Sequence, residues 1–317
     1  MTNGAGPLVT IAIPTYNRAA FSLPQALRAA LAQTYPQLEI LVSDNCSTDD
    51  TERVVRTFAD PRIRYTRHAE NIGPNNNFNF CVHEARGTFF LLFHDDDVVD
   101  PDLVETLIAA ADGNETVGLL RAGTRLIDAQ GEVLDEYPNL VGGLSTTRFI
   151  LGWFAGKTGL YLCSTLFNTA ALREVGGFRS THNLFQDVGA EMRVAARQGR
   201  VDVPDVKASF RMHSNVLYPE AKIGQWCEDS LELLDILCGL VPPEDRRRVR
   251  TEGMRYFCHK MYLYTLRLPS PRQRLRTYWR IFGVFGYRYS PARFFLTRTV
   301  RPRLASVRER VRRLAAS

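Results

Sequence analysis

Between residues 8 and 93, short apolar runs alternate with segments of helical period, and each run ends in polar residues. Residues 8–13 are halted by Pro14, residues 38–43 by Asp44, and residues 88–93 run into His94-Asp95-Asp96-Asp97. A chain that crosses from strand to strand through helices pairs its strands in parallel and buries both faces of the sheet. Residues 23–33 carry Leu23, Leu27 and Leu31 on one helical face. Residues 49–59 read as a helix opened by Ser47-Thr48-Asp49, residues 62–67 as a third strand and residues 78–85 as a third helix.

After Pro101 the pattern predicts a helix over 103–111, further strands, a turn at Gly142-Gly143, a helix over 149–154 and an apolar strand over 160–168. Gly176-Gly177-Phe178 breaks the chain before a helix over 187–198, and helices over 225–240 and 249–266 follow. The division expected is a catalytic α/β domain, residues 1–215, and a helical, arginine-rich extension, residues 216–317. A hydrophobic content of 45% against 23% charged residues excludes wholesale disorder.

Charge is unevenly spread. From Pro271 to Ser317 there are thirteen arginines and one acid, so the other 270 residues carry a net −6 within a total of +6. An acidic body argues against nucleic acid as a partner, and the basic tail points to an anionic surface. The six cysteines form no C-x-x-C pair and no zinc-spaced cluster. No basic segment followed by an apolar run opens the chain, and no stretch reaches about 18 uncharged apolar residues. A cytoplasmic protein, peripheral to the inner membrane face at most, is the expectation.

Three consecutive carboxylates repel one another and raise each other's pKa unless a cation neutralises them. Mg²⁺ or Mn²⁺ is the natural partner, since both take hard oxygen ligands and bridge to phosphates. The competing reading is a solvated acidic turn capping the helix after Pro101. Asp44 is able either to accept N–H bonds from a nucleobase or to cap its own turn. Pro14-Thr15-Tyr16-Asn17-Arg18 offers a stacking ring and hydrogen-bonding groups. Ligands of such sheets sit beyond the carboxyl ends of the strands, so the three clusters should converge in one crevice.

In combination, V-T-I-A-I-P-T-Y-N-R (residues 9–18), S-D-N-C-S-T-D-D-T (43–51), N-I-G (71–73), A-R-G-T-F-F-L-L-F-H-D-D-D (85–97) with Pro101 beyond, and G-G-F (176–178) resemble the family-2 glycosyltransferases in order and spacing over residues 8–215. The resemblance implies the GT-A fold, a Rossmann-like, mostly parallel sheet, and here a C-terminal helical extension. It implies an inverting transferase that uses Mg²⁺ or Mn²⁺ and a UDP-, dTDP- or GDP-linked sugar. The acceptor would be a glycan, a lipid-linked glycan or a small molecule, in polysaccharide or glycoconjugate assembly or in natural-product decoration.

By the same resemblance, Pro14, Thr15, Tyr16, Asn17, Arg18, Asp44, Asn71 and Gly73 match positions around the donor's base and ribose. Asp95 and Asp97 match the aspartate motif that holds the ribose and the metal-bound diphosphate, Asp96 is placed with Asp95 at the donor, and Asp95, Asp97 and His213 match the metal-binding positions. Asp97 is fixed by its distance to Pro101. Asp187 matches the base that deprotonates the acceptor hydroxyl, in a pair where Gln186 stands for the family's glutamate. Its other reading is a helix N-cap. Arg211 would neutralise the leaving diphosphate. Trp153, Phe154 and Tyr161 read either as a sugar-stacking wall or as core. A nucleotidyltransferase should carry a Gly-rich basic loop after its first strand, which Pro14-Thr15-Tyr16-Asn17 is not. A catalytically silent binder would lack Asp187 or the triplet.

The segment Y-W-R-I-F-G-V-F-G-Y-R-Y (residues 278–289) mixes aromatics with arginine, and residues 306–314 read as a short basic helix. Such a tail either docks on anionic lipid or packs its aromatics against the catalytic domain.

Overall fold

The computed structural model describes residues 6–20, 22–212 and 220–296. Its N-terminal half alternates β1 (Val9–Thr15), α1 (Ser22–Leu31), β2 (Leu38–Asp44), α2 (Thr51–Arg56), β3 (Ile63–Arg67), α3 (Pro74–Glu84) and β4 (Phe89–Leu92). These four strands are parallel, in the order β3-β2-β1-β4. Every residue of β1, β2 and β4 is buried, as a sheet covered on both faces requires.

Past β4 the chain forms β5 (Val98–Val99), α4 (Leu103–Ala110), β6 (Leu119–Ile127), β7 (Val133–Tyr137), α5 (Thr146–Phe154), β8 (Thr165–Asn168), α6 (Thr169–Glu174), α7 (Gln186–Gln198) and β9 (Arg200–Arg211). The sheet continues β4-β8-β6-β9-β5, with β7 also paired to β6. Strand β8 runs antiparallel to both of its neighbours, and β6 and β9 run parallel to each other. The expected α/β architecture with a mostly parallel sheet is present, and the antiparallel pairings fall in its second half.

Alternate residues of the central strands feed opposite layers. Ile11, Ile13, Ile40 and Leu91 pack with α1 and α4 on one face. Ala12, Leu41, Phe90 and Leu92 join a second core with α3, α5 and α7 on the other. That second core also contains Leu234, Phe257, Tyr262, Ile281 and Phe285. They belong to α8 (Glu220–Gly239), α9 (Pro243–Thr265) and α10 (Pro271–Val284) or the residue after it; α11 (Pro291–Phe295) completes the layer. The boundary expected at residue 215 lies outside the described residues, and the helices beyond it share a core with the sheet.

Several boundaries differ from the sequence reading. Pro14 does not stop the first strand, which runs to Thr15 and pairs Pro14 with Ser43. Ala12 turns its carbonyl to β4, accepting from Phe93 N, whereas Thr15 turns its carbonyl to β2, accepting from Asn45 N. Pro14 therefore points its missing donor past the end of β4, where no ladder bond is lost. Residues 160–168 are not one strand: a 3₁₀ turn, Leu162–Ser164, precedes β8. Strand β9 was hidden by Pro204, next to which the β6–β9 register shifts. Helix α3 starts four residues earlier than expected, with Gly73 (φ 82°) as N-cap and Pro74 at its first position.

Candidate active site

The ends of β1, β2 and β4 meet, and side chains stitch their loops together. Thr15 Oγ1 donates to Asp95 Oδ2 at 2.8 Å. Asn17, at φ 55°, accepts from Thr48 N through Oδ1 at 2.8 Å, and its own N–H donates to Ser47 Oγ at 2.9 Å. Tyr16 stands 45% exposed above this junction, its ring free to stack. Arg18, also exposed, lies close enough to help hold Asp95 ionised.

Asp44 is fully buried, and its carboxylate is already occupied. Oδ1 accepts from Ser47 N at 2.8 Å, Oδ2 accepts from Tyr65 OH at 2.6 Å, and Arg67 Nε lies 3.8 Å away. The turn-capping reading is thus realised. Next to it, Asn45 Nδ2 donates to Asn71 Oδ1 at 2.9 Å, and Asn45 Oδ1 accepts from Ile72 N. Asn71 Oδ1 also accepts from Gly73 N. The N-I-G turn is therefore clamped onto the end of β2. Asn77 extends the clamp, donating to Ser43 O at 3.0 Å and meeting His68 Nε2 at 3.0 Å.

Within the acidic run the side chains diverge. Asp95 turns to Thr15, while His94, Asp96 and Asp97 offer ligand atoms within 4.8 Å of one another. His94 Nδ1 lies 3.7 Å from Asp97 Oδ2, and Asp97 Oδ1 accepts from Arg211 N at 3.1 Å. His94 Nε2 is buried with no partner. Two carboxylates and an imidazole, one polar atom of the group left unmatched, suit a six-coordinate divalent cation that retains waters, the imidazole favouring Mn²⁺ over Mg²⁺. Burial pushes the Asp95 carboxyl up to about 6, opposed by the Thr15 hydrogen bond and helped by Asp96. Burial works against a charged His94, but Asp97, Asp96 and Asp95 outweigh it and raise its pKa.

Arg211, at the end of β9, does not reach freely into the crevice. Its Nε donates to Asp96 O at 2.9 Å and its Nη1 to Asp128 O at 2.9 Å, which ties β9 to the acidic loop. A cavity of about 360 Å³ opens between Asn17, Arg18, Gln25, Asp96 and Arg211, beside the acidic cluster. His213 lies outside the described residues.

Asp187, on α7, lies near enough to His94 for their charges to interact. The helix opens at Gln186, with Phe185 as N-cap and no capping side chain. Asp187 therefore lies in the first turn, where the helix dipole favours an anion, and is not the cap. Its Oδ1 accepts from Val188 N at 2.8 Å. Burial raises its pKa, while Lys260 of α9 and His94 pull it back down. Gln186 Oε1, in the residue that stands in place of the family's glutamate, is buried and accepts no hydrogen bond among the described residues.

The approach to Asp187 is set by residues that sequence reading did not single out. Asp229 of α8, fully buried, accepts from His182 N at 3.0 Å and Leu184 N at 3.1 Å and lies 2.7 Å from His182 Nδ1. Asn79 of α3 pairs with both backbone groups of Phe178, and both glycines before it have positive φ. One turn along α7, Glu191 meets the fully buried Arg121 at 3.1 Å. Arg121 also reaches Asp202 at 3.0 Å, Thr158 and Gly159 O. Burial pushes Glu191 up to about 7 against the pull of Arg121. Trp153, 7% exposed, belongs to the core rather than to a sugar-facing wall.

Residues 10–165 match the family described as Glycosyl transferase family 2. A curated relative, the GalNAc(5)-diNAcBac-PP-undecaprenol beta-1,3-glucosyltransferase of Campylobacter jejuni, is 34% identical over 158 residues, 48% of this chain and 50% of the relative. The chain spans about a fifth to a third of several other curated relatives it matches. Among solved structures, S. aureus TarS residues 1–349 superpose with a TM-score of 0.63 at 16% identity, covering 90% of this chain and 82% of that one. The mannosyltransferase PcManGT from Pyrobaculum calidifontis, solved with GDP-Man and Mn²⁺, gives 0.55 at 18% identity, covering 92% and 79%.

Proposed function

Since this chain is a glycosyltransferase of family 2 with a GT-A fold, we propose that it transfers a sugar, with inversion, from a nucleotide-diphosphate donor to an acceptor hydroxyl. The observation that carries this reading is that a single carboxylate, Asp187, lies near enough to His94 of the His94, Asp96 and Asp97 cluster for their charges to interact. Asp187 takes the proton of the acceptor hydroxyl as its oxygen bonds to the anomeric carbon. The bond from that carbon to the diphosphate breaks on the opposite face, and the nucleoside diphosphate leaves. A raised pKa makes Asp187 a stronger base than an exposed aspartate, and the Val188 N–H and the charge of Lys260 oppose that rise.

His94, Asp96 and Asp97 would hold Mg²⁺ or Mn²⁺, which when bound offsets the charge growing on the leaving diphosphate. Asp95 is tied to Thr15 and serves to order the donor loop. Tyr16 stacks on the base, and Arg18 and Arg211 border the diphosphate cavity. TarS has been solved with UDP-GlcNAc, PcManGT with GDP-Man, and the Campylobacter relative is named for a lipid-linked acceptor. They support a nucleotide-sugar donor and a place in bacterial glycan assembly. A panel of UDP-, dTDP- and GDP-sugars screened by thermal shift tests this: one donor should stabilise the protein more with Mn²⁺ than with EDTA. Asp97→Asn should abolish the difference. Equal shifts with and without metal for every donor would contradict it.

The C-terminal helices act as an accessory layer that brings the enzyme to a membrane. On the outward face of α10, Leu275 and Trp279 are each 61% exposed and flanked by Arg272, Arg276 and Arg280. Tyr278 turns inward onto Tyr262, so the segment both packs and presents an aromatic edge. No helix among the described residues is long and apolar enough to cross a membrane. Salt-sensitive sedimentation with anionic liposomes, lost in Trp279→Ala, is the expected result; no binding to such liposomes would reject this role.

A further inference from the structure

A cavity of about 1040 Å³, which shares no lining residue with the cavity beside Asp96, lies between α5 and the helices α9 and α11. Five cations line it, Arg248, Arg255, Lys260, Arg288 and Arg293, against one acid, Glu252. That acid is paired with Arg255 at 2.6 Å. Several positive groups around one space attract an anion, and guanidinium groups are well matched to phosphate oxygens. Between the cations the wall is apolar, formed by Leu151, Phe154, Tyr256, Leu263 and Phe294.

Lys260 links this cavity to the reaction. It lines the cavity, and its Nζ stands 5.3 Å from the centre of the Phe185 ring and 5.8 Å from that of Tyr256. Phe185 is the N-cap of the helix that carries Asp187. A molecule seated among the arginines therefore reaches Lys260, the side chain whose charge acts on the proposed base. The donor diphosphate already has its place beside Asp96 and Arg211, so this anion belongs to the other substrate.

We propose that the cavity receives the acceptor, and that the acceptor carries a phosphate or diphosphate next to an apolar portion. The arginines take the phosphate oxygens, the aromatic wall takes the apolar part, and the hydroxyl to be glycosylated extends past Lys260 to Asp187. This inference rests on the reading of Asp187 as the base and specifies its acceptor.

Calorimetric titration of the full chain with farnesyl diphosphate, in EDTA and without donor, tests the cavity independently of Asp97 and Asp187. Wild type should bind it, and Arg248→Gln/Arg288→Gln should bind about tenfold or more weakly. Farnesol and inorganic pyrophosphate, each half of the probe, should bind more weakly than farnesyl diphosphate. Far-UV circular dichroism checks the fold of the double variant; should it unfold, Arg248→Gln alone provides the same comparison at an exposed position. Equal affinity of wild type and variant overturns the proposal, as does farnesol binding as tightly as the diphosphate or displacement of the probe by UDP. Pyrophosphate binding as tightly as farnesyl diphosphate overturns the apolar half and leaves a free phosphate compound as ligand. Failure of the base assignment would read differently, as donor turnover that survives Asp187→Asn.

Discussion

As the proposed base, Asp187 has to reconcile two opposed demands, to be basic enough to take a hydroxyl proton and yet ionised at working pH. Burial supplies the first, and the Val188 N–H and the charge of Lys260 on α9 favour the second. Glu191, one turn along α7, is the acid facing it from its own helix, and Arg121 holds that acid in turn. Activity needs ionised Asp187, so it should fall as pH drops through a range above that of an ordinary aspartate. Lys260→Met removes a stabilising charge and should move this acidic limb of the kcat profile to higher pH, with the alkaline plateau less affected. A limb that stays in place in a kcat-against-pH comparison would show that Lys260 does not act on the base. His94 shows what a single residue conceals in sequence. Its place beside Asp96 and Asp97 depends on a turn that sends Asp95 the other way, to Thr15 on a strand 80 residues earlier.

Among the elements, the parallel strands were legible because each is buried on both faces and ends in a polar cluster. Strands β5 and β9 were not. The first has two residues, and the second carries Pro204 and alternates charged with apolar side chains. Their pairing is set by tertiary contacts that no local period announces. The Gly176-Gly177-Phe178 break was read as a break, but its mechanism appears only in the fold. Gly177 lies at φ 69°, and a Cβ there would collide with Asn79 Oδ1, the acceptor of Phe178 N. Gly177→Ala should therefore cost about 2 kcal/mol or more, from left-handed strain and a lost hydrogen bond, read as a lowered urea midpoint. Gly143→Ala, also at positive φ but with open space around it, should cost less. Equal losses would mean that the Asn79 clamp contributes nothing.

At the scale of the whole molecule, the C-terminal helices are part of the catalytic body. They share its second core, and Asp229 of α8 fastens the loop that leads into α7. The composition of the extension points to a basic, aromatic segment, but not to α8 holding the loop that leads into α7 or to α9 bringing the charge of Lys260 to bear on Asp187. Both depend on how helices distant in sequence fold back over the sheet. Asp229→Ala leaves the two N–H groups of His182 and Leu184 without their acceptor, so it should lower kcat about tenfold by loosening the position of Asp187 while leaving nucleotide affinity unchanged. Unchanged kcat would make that link purely structural.

The account depends most on the division of labour between the acidic cluster and the single carboxylate of Asp187. Release of nucleoside diphosphate from the preferred nucleotide sugar, compared in wild type and Asp187→Asn with nucleotide binding measured in parallel, tests that division. The predicted result is a loss of about 10²–10⁴ in kcat with nucleotide affinity retained. Turnover at the wild-type rate in Asp187→Asn would contradict it.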